Sequence, residues 1–131
     1  MYYVGGSMKL LLLLLLTLSQ VVFAQSPKQA YEAAKNKEVI LIDVREKDEV
    51  TAGMVDQAIW IAKSDIDNNG PQWQSFSKNA KNYKKVALYC RSGRRAGLLI
   101  EKFKSLGLDV ENLGGLKDFE SDGVKIVQPK I

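Results

Sequence analysis

Two uninterrupted apolar runs, Val39-Ile40-Leu41-Ile42 and Val86-Ala87-Leu88-Tyr89, constrain this chain more than any other feature. Neither alternates apolar with polar residues, as a strand with one wet face does. Both are short, so each reads as a strand buried on both faces, which is the mark of a parallel sheet. The segments around them alternate between strand and helix. Ser26-Pro27 opens a helix, with Ser26 as N-cap, Pro27 at the first helical position and Ala30, Ala33 and Ala34 as a small apolar face. The first run ends at Asp43, a short helix follows over Lys47 to Ala52, and Gly53 closes it. Ala58-Ile59-Trp60-Ile61 reads as a second strand. Asn68-Asn69-Gly70-Pro71 is a turn, and Trp73 and Phe76, three apart, anchor a helix on the sheet. Ala96, Leu99, Ile100 and Phe103 give the spacing of an amphipathic helix that turns Glu101, Lys102, Lys104 and Ser105 outward and stops at Gly107. A fourth strand is expected around Val110, before Gly114-Gly115 bends the chain towards Leu116 and Phe119. This order predicts one α/β domain whose mainly parallel sheet is flanked by helices.

The 131 residues suffice for one domain. Met8-Lys9, the leucines from Leu10 to Leu16, and Val22-Phe23-Ala24 form the charged, apolar and small-residue regions of a secretory signal peptide cut after Ala24. Met8 reads as the true start. The apolar stretch falls short of the about 20 residues that span a bilayer, so no stable anchor is expected after cleavage. The domain itself is then residues 25–131, exported to a periplasm or secreted. A formal charge of +4 favours small anions. No long basic run with interleaved aromatics points to nucleic acid. The chain has one cysteine and no histidine. It can form no internal disulfide, no His-based catalytic dyad and no His/Cys zinc site, so neither metal nor cofactor is expected. A lone thiol in an exported protein is either reactive or intermolecular.

That thiol, Cys90, ends the second apolar run and is followed by Arg91-Ser92-Gly93-Arg94-Arg95. In a parallel α/β sheet, sites gather at the carboxyl ends of strands. The helix starting near Arg94 points its unpaired N–H groups and positive dipole end back at the loop. The amides of Arg91, Ser92, Gly93 and Arg94 can curl into an anion nest, with Gly93 permitting the turn. Such surroundings favour a thiolate and an oxyanion in front of it. Attack on the outer sulfur of thiosulfate and attack on phosphorus both suit this pattern, and neither needs a general base. A buried cysteine beside a solvated basic turn is the structural alternative.

Three separated segments are similar to those of the single-domain rhodanese family. They are Asp43-Val44-Arg45-Glu46 with Glu49, Gly53 and Ala58; Cys90 to Arg95 with Ala96-Gly97; and Val110 to Leu113 with Gly114-Gly115 and Phe119. With the leader and the short length, the chain resembles the family's exported phage shock protein E type. The resemblance implies a rhodanese-like three-layer sandwich and transfer of sulfane sulfur from thiosulfate to cyanide or a thiol acceptor. In that reading Cys90 is nucleophile and persulfide carrier, and the amides from Arg91 to Arg95 cradle the persulfide. Arg94 and Arg95 hold the sulfonate end of the donor. Asp43 and Arg45 support the site by tying strand ends together, with Glu49 as a partner of Arg45. Relatives that act on phosphate or arsenate carry an arginine six positions after the cysteine. Here that position is Ala96, so the loop has the shorter, sulfur-type form. The chain departs from the family pattern at Met54, Asp56, Gln57, Ala62 and Phe119. A monomer is expected, with a small anionic sulfur donor as partner. The rival readings are a non-catalytic rhodanese module and, behind it, a cysteine phosphatase or arsenate reductase.

Overall fold

The computed structural model describes residues 25–131. The expected signal peptide lies outside the described residues. Helix α1 (Pro27–Lys35) starts as its sequence dictates: Ser26 Oγ accepts from the Gln29 amide, and Gln29 Oε1 accepts from the Ser26 amide. Strand β1 (Ile40–Asp43) follows, then α2 (Lys47–Thr51), β2 (Met54–Val55) and β3 (Ile59–Trp60). Two helices, α3 (Lys63–Asp67) and α4 (Pro71–Lys78), and a 3-10 turn over Ala80–Asn82 lead into β4 (Lys85–Cys90). Then come α5 (Arg94–Lys104), β5 (Asp109–Gly115), α6 (Leu116–Ser121) and β6 (Ile126–Val127).

The main sheet has the order β3-β1-β4-β5, and every pairing in it is parallel. This is the α/β architecture expected from the sequence. β4 is central, and its side chains show why the apolar runs do not alternate. Val86, Leu88 and Cys90 pack into one core with Trp73 and Phe76 of α4 and Leu99 and Phe103 of α5. Ala87 and Tyr89 pack into a second core with Ala30 and Ala33 of α1 and Phe119 of α6. Both faces of the strand are covered, so both must be apolar.

Two features depart from the sequence expectation. β2 and β6 form a separate antiparallel ribbon, Met54 opposite Val127 and Val55 opposite Ile126. Lys102, expected to face outward, lies back along the helix surface. Its ammonium donates to the Ile66 carbonyl at 2.7 Å and sits 5.4 Å from the Trp73 ring centroid, joining α5 to α3 and α4.

Candidate active site

β4 delivers Cys90 to the carboxyl edge of the sheet, where Arg91-Ser92-Gly93 turns into α5. Cys90 exposes no surface. Its Sγ accepts a hydrogen bond from the Gly93 amide at 3.0 Å. Gly93 has φ +95, in the left-handed region where a side chain is strained, and a Cβ there would lie 3.0 Å from Gly114 Cα. The first amides of α5 have no acceptor within the helix. Burial by itself pushes the thiol up. Hydrogen bonds from the backbone N–H groups of Ala96, Ser92, Gly93 and Arg95 outweigh it and hold Cys90 below the ordinary thiol value. The expected nest ran from Arg91 to Arg94 and the cradle implied by the resemblance to Arg95, whereas the amides at the sulfur are those of Ser92, Gly93, Arg95 and Ala96. The amide of Ala96 is an addition, and its signal was its place in the first turn of a helix aimed at the sulfur.

β5 braces this loop from the other side. Asn112 Nδ2 donates to the Gly93 carbonyl at 2.8 Å, while its Oδ1 accepts from the Gly114 amide at 3.0 Å. Gly115 is paired with Cys90 across a register shift. A Cβ on Gly115 would stand 2.0 Å from the Arg91 carbonyl oxygen. The Gly114-Gly115 pair therefore does more than bend the chain: Gly115 lets the loop backbone pack directly on β5. Sequence reasoning took Gly115 only as part of a bend and of the family-like glycine pair, and gave Asn112 no role of its own.

The arginines divide into two groups. Arg95 makes a two-point pair with Glu49 of α2, Nη1 to Oε1 at 2.6 Å and Nη2 to Oε2 at 2.8 Å. The sequence expectation pairs Glu49 with Arg45 and is corrected here, because Arg45 turns inward to Asp43. The hydrogen bonds from Arg95 hold the Glu49 carboxyl down at about 2. Glu49 first, and the Cys90 sulfur after it, raise Arg95 in turn, so this guanidinium lies between a carboxylate and the candidate nucleophile. Arg91 and Arg94 instead face an open cleft of about 490 Å³, lined by Lys63, Arg91, Ser92, Arg94, Arg95 and Leu98. Among the described residues, no acidic one lines it.

Asp43 and Arg45 stand behind the loop, away from this cleft. Both are buried. Arg45 Nη2 donates to Asp43 Oδ2 at 2.7 Å and to the Gly53 carbonyl at 2.6 Å, and its guanidinium carbon lies 5.9 Å from the Tyr89 ring centroid. The buried Tyr89 hydroxyl accepts from the Val55 amide at 3.0 Å. This cluster ties the end of β1 to the start of β2. Among the described residues, no group of three or more His, Cys, Asp or Glu is placed to hold a metal ion. No described helix is long and apolar enough to cross a membrane.

Residues 26–122 match the family model described as the rhodanese-like domain. The chain belongs to the rhodanese-like domain family. Over 96 residues it is 33% identical to the Bacillus subtilis protein named "Putative sulfurtransferase YtwF", an alignment covering 72% of this chain and 84% of the relative. A rhodanese-related protein from Thermoplasma volcanium shares the fold, with a TM-score of 0.64 at 24% identity over 82% of this chain and all of the other. Protein hp1203 of Helicobacter pylori gives a TM-score of 0.54 at 31% identity, over 70% of this chain and 80% of that one. A rhodanese-like domain built on this parallel sheet places its Cys90 loop at a strand end. That is where an α/β fold positions a ligand.

Proposed function

We propose that this rhodanese-like domain is a sulfurtransferase that carries sulfane sulfur on Cys90. The observation that carries the reading is the loop itself: the Gly93 amide donates to the buried Cys90 sulfur at 3.0 Å, and with the backbone N–H groups of Ala96, Ser92 and Arg95 it holds the thiol below its ordinary value against the opposing effect of burial. The family relationship and the name of the Bacillus relative support the same class of chemistry. Thiosulfate is the proposed donor. The Cys90 thiolate attacks its outer sulfur, an Sγ–S bond forms, and the S–S bond of the donor breaks with its electron pair leaving on sulfite. Cyanide or a thiolate then attacks the outer sulfur of the persulfide, and the electron pair returns to Sγ. No proton need move when the nucleophile is already ionised. Ser92, Gly93, Arg95 and Ala96 would hold the persulfide charge through their amides, and the loop arginines would hold the donor.

The chain is further proposed to be one domain over residues 25–131, exported after cleavage at Ala24, monomeric and of the phage shock protein E type. Export would place the thiol outside the reducing cytosol.

The complete burial of Cys90 favours a second reading, a rhodanese module that binds without transferring. Thiocyanate production from thiosulfate and cyanide separates the two. The sulfurtransferase reading expects turnover in the reduced protein and none in Cys90→Ser. No thiocyanate from the reduced protein, or turnover that survives Cys90→Ser, would overturn it.

A further inference from the structure

The cleft beside the Cys90 loop holds a cation that no part of the loop supplies. Lys63, at the start of α3, lines it together with Arg91, Ser92, Arg94, Arg95 and Leu98. Its backbone is fixed. The Lys63 amide donates to the Val44 carbonyl at 3.0 Å, and the Ile61 amide donates to the Asp43 carbonyl at 3.1 Å. Glu46 then holds the neighbouring residue: Ser64 donates to its carboxylate through the amide at 3.0 Å and through Oγ at 2.7 Å. The start of α3 is thus tied to the end of β1, which pairs with β4. Lys63 is held at the rim of the cleft, although it lies far from Cys90 in sequence.

The charges around the cleft give Lys63 a task. Arg95 is already engaged by both oxygens of Glu49. Among the described residues, Arg91 and Arg94 make no ion pair, and Lys63 pairs only with Asp67, one turn further along α3, at 2.5 Å. Asp67 does not line the cleft, and its side chain is 47% exposed against 24% for Lys63. An exposed i,i+4 pair of this kind is weak and exchanges readily for a better partner. A dianion entering a cleft without carboxylates is such a partner.

We propose that Lys63 is a binding residue for the anionic end of the sulfur donor, acting with Arg91 and Arg94, and that Asp67 competes with the donor for it. The donor binds at this rim with its transferable sulfur towards Cys90. Lys63 leaves Asp67 as the dianion arrives and returns when sulfite departs. Arg95 keeps its Glu49 partner throughout and serves the sulfur end. This assignment rests on the sulfurtransferase reading, and the test keeps the two apart.

Thiosulfate binding is measured by calorimetry on full-length Cys90→Ser protein, where no sulfur can be transferred, with Lys63→Gln or Asp67→Asn added. Lys63→Gln should weaken binding about fivefold, the loss of one charge-assisted contact. Asp67→Asn should tighten it about twofold, because the competing carboxylate is gone. In the Cys90 protein, the same changes should move KM for thiosulfate in the same directions, with kcat moving less than KM. Both side chains sit at the surface, and matched melting temperatures would show the variants folded. Thiosulfate affinity within twofold of the parent in Lys63→Gln, or weaker binding in Asp67→Asn, would overturn the proposal. If the Cys90 protein makes no thiocyanate while Lys63→Gln still weakens thiosulfate binding, the transfer reading fails and the anion site stands.

Discussion

Cys90 lies in a core yet is held below the ordinary thiol value, and these opposed facts define the residue scale. An apolar position raises a thiol pKa, and only the amide cradle reverses the sign. The rate of alkylation by iodoacetamide should therefore rise with pH through a midpoint below the usual value of about 8.5. A midpoint at or above that value would mean the amides do not reach the sulfur. Gly115 provides a second check. The Cβ of Gly115→Ala would lie 2.0 Å from the Arg91 carbonyl oxygen and 2.6 Å from its carbon. Backbone cannot yield cheaply there, so the loop must shift. Sulfur transfer by Gly115→Ala should fall at least about tenfold, since misplacing a reacting group by about 1 Å costs that order or more. The cysteine, the glycine turn and the arginines were legible in the sequence because strand, loop and helix start coincide at Cys90. The roles of Asn112 and Gly115 were not, because they depend on β5 meeting the loop in space.

Between elements, the Glu49–Arg95 pair joins α2 to α5 over the candidate site. Its side chains are 26% and 28% exposed, so the pair is worth about 1 kcal/mol at neutral pH. The sign of its pH dependence follows from Glu49. Its folded pKa of about 2 lies below the ordinary 4.5, so the unfolded chain binds the proton more readily. The stabilisation is complete above about pH 4.5 and disappears as the pH falls towards 2. Urea unfolding of wild type and Glu49→Gln should differ at pH 7 and converge towards pH 2 to 3. A gap that stays constant would show that the pair contributes nothing. The family resemblance placed Glu49 beside Arg45, its near neighbour in sequence. The ion pair actually formed is long-range, and only the fold brings it about. The β2–β6 ribbon was missed for a related reason: two-residue strands carry no period to read.

At the scale of the whole molecule, the parallel sheet was legible because burial on both faces forces continuous apolar strands. All four of its strands were found, at Ile40, Ile59, Val86 and Val110 or beside them. Short helices such as α3 and α6 were not distinguished, having too few residues to show an apolar face. The Asp43–Arg45 pair holds the first crossover to this sheet. Arg45→Leu would leave Asp43 as a buried carboxylate without its cation, at a cost of about 3–5 kcal/mol. Denaturant unfolding should show that loss. A cost under about 1 kcal/mol would mean that the pair is not what ties β1 to β2. The central claim concerns one atom, and the mass of the intact protein tests it most directly. After reduction and incubation with thiosulfate, the chain should gain about 32 Da, one sulfur, located on Cys90 and removed by cyanide as thiocyanate. A reduced, folded protein whose mass does not change, or a gain that persists in Cys90→Ser, would contradict the account.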